Sequence, residues 1–349
     1  MRLVATLVAA TGTELSPALV ESVVAAVKQA GARDVSWNNS RQGHGRTPLP
    51  LAGGAGGGLV NTGDLLTSPP SIPPVRLRQE ASARPDPDRV EAQRRRASGG
   101  EVCAADIFFD AEDFPTAARQ LISQHPIDLI IQPVATRRKK LLIADMESTI
   151  IEQEMLDELA DLIGLRDQVA DITARAMNGE LDFAAALRER VALLKGLPAS
   201  VIDQVAKRIT YMSGAVELLA GMKANGASAW LVSGGFTCFA KPVAERLGFD
   251  RVYANELLIR DGVITGEVTN PILDKESKKN FLLQATKELG LTLDQTAAVG
   301  DGANDIPMLS TCYANGGLGV AYHAKQSVRA VIPHQINHGD LRVLLWAQG

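Results

Sequence analysis

The sequence predicts an α/β fold built on a parallel sheet, and three features carry that expectation. Apolar runs in LLIAD, SAWLVS and TAAVGD each stop on a polar residue, at Asp145, Ser233 and Asp301. Runs of this kind read as strands buried on both faces. Helix-patterned segments separate them, as crossovers between parallel strands require, which gives a doubly wound, Rossmann-like sheet. Ahead of this sheet, patterned segments follow the order βαββαβ, the mark of a separate α+β domain of ferredoxin-like type.

In chain order, Leu3 to Ala10 reads as a strand. The opening MRLVATLVAATG carries one arginine and a short apolar core, and a first strand suits it better than a secretory leader because an amphipathic helix follows. That helix spans Ser16 to Ala30, with Ser16 as N-cap, Pro17 at its first position and Gly31 after its end. Asp34 to Trp37 reads as a short second strand. From about Asn38 to Gly100 the sequence turns to GGAGGG, SPPSIPP, RPDPDR and QRRRASGG. Such composition cannot bury enough apolar surface to offset chain ordering, so a disordered insertion is expected there. A strand from Glu101 to Phe109, a helix from Asp113 to Gln124 and a strand from Ile127 to Gln132 complete the first domain. The insertion then falls at a hairpin tip, where it does least harm.

The GGAGGG run lacks the Lys and Ser/Thr of a phosphate-binding loop and reads as linker. The basic runs Arg94 to Arg96 and Arg137 to Lys140 are adequately explained as solvated linker charge. From about Ile151 to Met212 the apolar spacing is helical, in EMLDELADLIGL and FAAALRERVALLKGL. This block falls between the first and second strands of the main sheet, so it is expected to close over the strand tips as a cap. Beyond it, Val252 to Leu258 and Val263 to Val268 flank the hairpin signal Asp261-Gly262 within the sheet domain, and Gly317 to Tyr322 reads as another buried strand. The expected domains are residues 1–136, interrupted at about 38–100, and 137–349, with its cap at about 151–212.

At 349 residues there is room for two or three domains, and 46% hydrophobic with 22% charged residues is the balance of a globular protein. A net charge of −4 argues against a general nucleic-acid binder. No apolar run is long enough to span a bilayer. Three cysteines, Cys103, Cys238 and Cys312, stand far apart without metal-ligand spacing, which speaks against a disulfide framework and for a reducing cytoplasm. The five histidines, His44, His125, His323, His334 and His338, form no pattern that suggests metal or base chemistry.

Functional residues gather at the ends of the apolar runs. In open α/β sheets the carboxyl ends of the strands are where ligands bind. An ionised Asp145 there needs donors or a cation to offset desolvation. Asp145, Ser148 or Thr149 would also serve as a helix N-cap, and that one stretch does not choose between the readings. The other stretches do shift the balance. Ser233 precedes Gly234 and Gly235; Asp301 precedes Gly302, Asn304 and Asp305; Lys278 opens an amphipathic helix 23 residues before Asp301. Carboxylates suit a hard divalent cation such as Mg²⁺, while bare amides, a hydroxyl and an ammonium suit phosphate.

In these four motifs, in their order and spacing, the chain from about Arg137 to its C-terminus resembles the phosphoserine phosphatases of the haloacid dehalogenase superfamily. The resemblance implies a Mg²⁺-dependent phosphoric monoester hydrolase of serine biosynthesis, with a small-molecule substrate, O-phospho-L-serine. It makes Asp145 the nucleophile, and it makes Asp145, Asp301 and the backbone carbonyl of Glu147 the metal ligands, with Asp305 in support. Ser233, Gly234, Lys278 and Asn304 then bind phosphate, and Glu154, Met177, Phe183 and Arg190 match cap positions that face the substrate. Taken without the resemblance, those four cap residues read more simply as surface helix charges and core. Bacterial relatives often carry an N-terminal domain like an ACT module, so an ACT-like first domain is expected, and a homodimer through it is compatible with the sequence.

One position departs from the family pattern. Relatives have an aspartate two residues after the nucleophile, and here Glu147 stands in its place. That acid protonates the leaving alkoxide and later deprotonates water. Glutamate keeps the function with an extra methylene, which shifts the carboxyl by about an ångström, a displacement that can cost on the order of a hundredfold in rate. Two other readings stay open: a phosphatase or phosphotransferase acting on another small phosphomonoester, and a weakly catalytic protein that senses an amino acid.

Overall fold

The computed structural model describes residues 1–10, 13–41, 103–177 and 180–349, without the side chains of residues 39–41, 103 and 177. The first layer comprises β1 (Arg2–Ala9), the helix Pro17–Gln29, β2 (Arg33–Arg41), β3 (Cys103–Asp110), the helix Thr116–Ile122 and β4 (Ile127–Pro133). The strands form one antiparallel sheet in the order β2-β3-β1-β4, the arrangement expected for βαββαβ connectivity. Ser16 caps the first helix, its hydroxyl accepting from the Leu19 amide at 3.1 Å, and Pro17 opens it.

Period-two alternation decides what each face of this sheet meets. Leu3, Ala5 and Leu7 on β1, with Ala105, Ile107 and Phe109 on β3, pack against Val20, Val23, Val27, Ala118 and Ile122 of the two helices. Thr6, Asp106, Asp128 and Gln132 point the other way and are buried against the rest of the chain. The Asp128 carboxylate accepts the amides of Asn337, His338 and Gly339 at 2.8, 3.1 and 2.7 Å. Arg137 joins Asp106 at 2.6 Å and also donates to the carbonyls of Trp346 and Ala347 at 3.0 and 2.9 Å.

Two expectations are corrected here. β2 runs on to Arg41, so residues 38–41 pair with β3 and do not begin the insertion; the ladder imposed by β3 outweighs the poor strand propensity of Asn38 to Arg41. The rest of the expected insertion, residues 42–100, lies outside those described. Arg137 and Lys139 are not solvated linker charges. Lys139 is buried and donates to the carbonyls of Thr136 and Asp294 at 2.7 and 2.8 Å, and burial lowers its pKa to about 8.

The second sheet is wholly parallel, in the order β12-β11-β10-β5-β6-β7, with β5 (Leu141–Ala144), β6 (Ser228–Phe236), β7 (Arg251–Asn255), β10 (Thr296–Gly300), β11 (Leu318–Tyr322) and β12 (His334–Ile336). Chain order reverses on either side of β5, so its carboxyl end is the topological switch point, where such sheets bind ligands. Between β5 and β6 the helices Met155–Leu162, Arg166–Met177, Phe183–Ala192 and Ser200–Ala206 form the expected helical block.

β6 continues through Phe236 with a register shift after Val232, beyond its expected end at Ser233. The run read as one strand, Val252 to Leu258, is divided. β7 ends at Asn255, and β8 (Leu257–Arg260) leaves the sheet to pair with β9 (Val263–Val268). This hairpin bonds to the helical block instead, through Gly196 to the Ile264 carbonyl at 2.9 Å and Ile264 to the Leu197 carbonyl at 2.8 Å.

His334 provides a pH prediction. Its Nε2 lies 2.8 Å from the Ile131 carbonyl of β4, and its buried Nδ1 has no hydrogen-bond partner among the described residues. The ring is therefore suited to the neutral form with the proton on Nε2, and burial pushes its pKa down to about 4. The unfolded chain takes up this proton at about pH 6.5 and the folded one only near pH 4, so stability is lost as pH falls through that window. The expected loss is on the order of 3 kcal/mol. Urea unfolding at pH 7 and pH 4.5 should show a larger decline for wild type than for His334→Gln; equal declines would contradict this.

Candidate active site

Four elements meet at the carboxyl end of β5. Asp145 follows the strand directly, with its amide bonded to the Val299 carbonyl of β10 at 3.0 Å, and the residue is 5% exposed. The Asp145 carboxylate accepts the Met146 amide at 2.8 Å and faces Lys278 Nζ at 2.8 Å. Lys278 is fully covered and also reaches Asp305 Oδ1 at 2.7 Å. Its helix, Lys275–Glu288, starts at a reciprocal capping box in which Asp274 accepts the Ser277 amide and Ser277 accepts the Asp274 amide, at 2.9 and 3.2 Å. Asp305 accepts the Gly302 amide at 3.0 Å, and Asp301 is approached by the Thr149 hydroxyl at 3.4 Å.

One oxygen each of Asp145, Asp301 and Asp305 lie within 4.8 Å of one another, all buried. Burial holds Asp145 well above the usual carboxylate range, with Asp305 adding to it and Lys278 opposing. Burial and then Asp305 and Glu154 push Asp301 up to about 6. For Lys278, burial favours loss of the proton, but the two carboxylates outweigh it and hold the ammonium above its ordinary range. Three crowded carboxylates thus face one ammonium. A hard divalent cation would relieve that excess negative charge, and an all-oxygen donor set fits Mg²⁺.

The second half of the site belongs to β6 and the helical block. Ser233 is buried, and its hydroxyl accepts the Gly235 amide at 2.9 Å. The register pairs Ala144 with Leu231, so Asp145 and Ser233 emerge from neighbouring strands at nearly the same level. Phe183 stands over Gly234, its ring edge 3.4 Å from where a β-carbon would be. Glu147 Oε1 accepts the Met155 amide at 3.0 Å, the first residue of a cap helix. Burial, then the like charge of Glu154, push the Glu147 carboxyl up to about 8, while Lys278 and Arg190 pull the other way. Burial lowers the Arg190 pKa, against Asp157, Glu147 and Glu154, so Arg190 and Glu154 share the field around Glu147.

Of the residues singled out in the sequence, Asp145, Lys278, Asp301 and Asp305 converge most tightly. Ser233, Gly234, Glu147, Phe183, Arg190 and Glu154 gather around them, Glu154 being exposed and held by the Ser148 hydroxyl at 2.9 Å. Asn304 is half-buried beside Gly302. Met177 ends a cap helix, and its side chain lies outside the described residues.

Sequence reading missed the function of two buried polar residues. Thr149 meets Asp301, where its hydroxyl suggested only a cap. Asn255 donates to the Gly234 carbonyl at 2.7 Å and accepts the Leu273 amide at 2.8 Å, tying the glycine turn to the segment that leads to Lys278. A polar residue at the end of an apolar strand was the available signal. His323 and His334 bond to backbone carbonyls away from this cluster.

A buried carboxylate at a switch-point strand tip, a lysine shared between two acids and a glycine turn beneath a helical cap define a phosphoryl-transferring α/β hydrolase. A family model described as haloacid dehalogenase-like hydrolase matches residues 142–310. A phosphoserine phosphatase of Lactococcus lactis subsp. lactis is 43% identical over 207 residues, 59% of this chain and 94% of the relative. Phosphoserine phosphatase SerB2 of Mycobacterium tuberculosis is 40% identical over 235 residues, 67% of this chain but only 56% of that longer protein. A solved structure, a phospho-aspartyl intermediate analogue of phosphoserine phosphatase, matches with a TM-score of 0.55 at 39% identity, covering 60% of this chain and 98% of that one. The chain belongs to the haloacid dehalogenase-like hydrolase family.

Proposed function

We propose that this protein hydrolyses O-phospho-L-serine to L-serine and phosphate, through a phosphoryl group carried on Asp145. The observation that carries the reading is the Asp145–Lys278–Asp305 array at the tip of β5. The phosphoserine phosphatases similar to the catalytic part of the chain give the substrate class.

In the first step an Asp145 carboxylate oxygen attacks phosphorus, and the bond from phosphorus to the serine oxygen breaks with its electron pair on that oxygen, which takes the Glu147 proton. In the second step water gives a proton to Glu147 and attacks phosphorus, and the bond from phosphorus to the Asp145 oxygen breaks with its electron pair on the carboxylate, releasing phosphate. Lys278, the Ser233 hydroxyl and the Gly234 amide hold the phosphate oxygens, and Asn304 orients them. Arg190 receives the substrate carboxylate and Glu154 its ammonium, with Met177 and Phe183 closing the apolar wall. Asp145, Asp301 and the Glu147 carbonyl, with Asp305 behind them, would hold Mg²⁺, which would supply the positive charge that lets one anion approach another. The free thiols of Cys238 and Cys312 fit a reducing cytoplasm. The ACT-like first domain would supply the interface of a homodimer.

Phosphate release by the purified chain, measured with Mg²⁺ on O-phospho-L-serine and a panel of small phosphomonoesters, tests this reading. Preference for phosphoserine supports it, and equal or greater activity on unrelated monoesters overturns the substrate assignment. Glu147→Asp is expected to preserve or raise kcat, since the shorter acid has the length that the family pattern places here. A fall in kcat would show that the extra methylene is not a handicap.

A further inference from the structure

The Ser233-Gly234-Gly235 turn contains two glycines that are not equivalent. Neither has a positive φ, so backbone conformation does not require glycine at either position. At Gly234 a β-carbon would make an ordinary contact with Phe183 at 3.4 Å. At Gly235 the three atoms nearest to a β-carbon all belong to the Glu147 carboxyl: Oε1 and Oε2 at 2.8 Å and Cδ at 2.9 Å. The carboxyl therefore fills the space that a side chain at 235 would occupy. On its other side it is held by the Met155 amide at 3.0 Å.

We propose that Gly235 is a positioning residue for the proton-transferring acid, and that its missing side chain is what admits a glutamate at position 147. The inference rests on the role given to Glu147 above. A methyl group at 235 displaces the end of a flexible side chain and not backbone, so the fold tolerates it while the acid is pushed off its seat. The backbone amide that bonds Ser233 is kept in any such variant. A shorter acid at 147 withdraws from the same space, so residues 147 and 235 are energetically coupled.

The test is a cycle of four enzymes, wild type, Gly235→Ala, Glu147→Asp and the double variant, with two substrates. O-phospho-L-serine expels an alkoxide that needs a proton, whereas p-nitrophenyl phosphate expels a phenolate that does not. Gly235→Ala is expected to lower first-turnover serine release on the order of a hundredfold when Glu147 is present, the cost of an ångström-scale displacement, and only about threefold in the Glu147→Asp background. First-turnover nitrophenolate release should fall by no more than about threefold in either background, because no acid is required. Equal losses in the two backgrounds, or for the two leaving groups, would overturn the proposal while leaving the phosphatase reading intact. Failure of Gly235→Ala to fold, scored by thermal unfolding, would also overturn it, since only a side-chain end is displaced. If wild type hydrolyses neither substrate, the proposed function itself fails.

Discussion

Asp145→Asn is expected to reduce turnover of O-phospho-L-serine by at least about 10⁴-fold, because removing the proposed covalent nucleophile leaves only binding and charge stabilisation. Asparagine retains the shape of the side chain and an oxygen for the Met146 amide, which bonds Asp145 at 2.8 Å. Lys278 keeps its contact with Asp305 at 2.7 Å, so the fold and the phosphate-holding groups remain. The loss should therefore appear in kcat, with substrate binding by calorimetry changed far less. A variant retaining more than a hundredth of wild-type kcat would exclude Asp145 as the nucleophile.

Lys278→Met should affect stability as well as activity. Its ammonium is buried between Asp145 and Asp305, at 2.8 and 2.7 Å, and removing the cation leaves Asp145, Asp301 and Asp305 facing one another without it. Breaking a buried ion pair from one side costs on the order of 3–5 kcal/mol, through the charge left behind. The unfolding free energy at pH 7 should fall by about that amount. The deficit should shrink as pH falls, because burial and mutual repulsion already hold Asp145 and Asp301 above the usual carboxylate range and the variant strengthens that tendency. Added Mg²⁺ should also raise the variant's midpoint, by binding the folded state alone. Urea titrations at pH 5 and 7, with and without Mg²⁺, measure all three effects. A Lys278→Met protein as stable as wild type at pH 7 would mean that these acids are protonated in the native state and the ion-pair account is wrong.

The parts of this site that were legible in the sequence are those written into local pattern. A strand buried on both faces is a continuous apolar run, so the tips of β5 and β10 are marked where the run meets Asp145 and Asp301. Lys278 is visible because it opens an amphipathic helix, 23 residues before Asp301. Less legible were features decided by partners distant in sequence. Arg137 and Lys139 look like linker charges until Asp106, Ala347 and Asp294 are brought to them. β8 has the composition of a core strand, yet pairing with β9 and the loop at Gly196 draws it into the helical block. Gly235 shows nothing in sequence beyond being a glycine; its meaning comes from the carboxyl of Glu147, 88 residues earlier.

The most direct test of the account is to identify the residue that carries phosphate during turnover. Rapid acid quench of the enzyme with ³²P-labelled O-phospho-L-serine, followed by peptide mapping, should place a hydroxylamine-sensitive acyl phosphate on the peptide containing Asp145, formed and lost at rates compatible with kcat. Turnover of phosphoserine with no label on that peptide, or with label on a hydroxyl or histidine side chain, would contradict it.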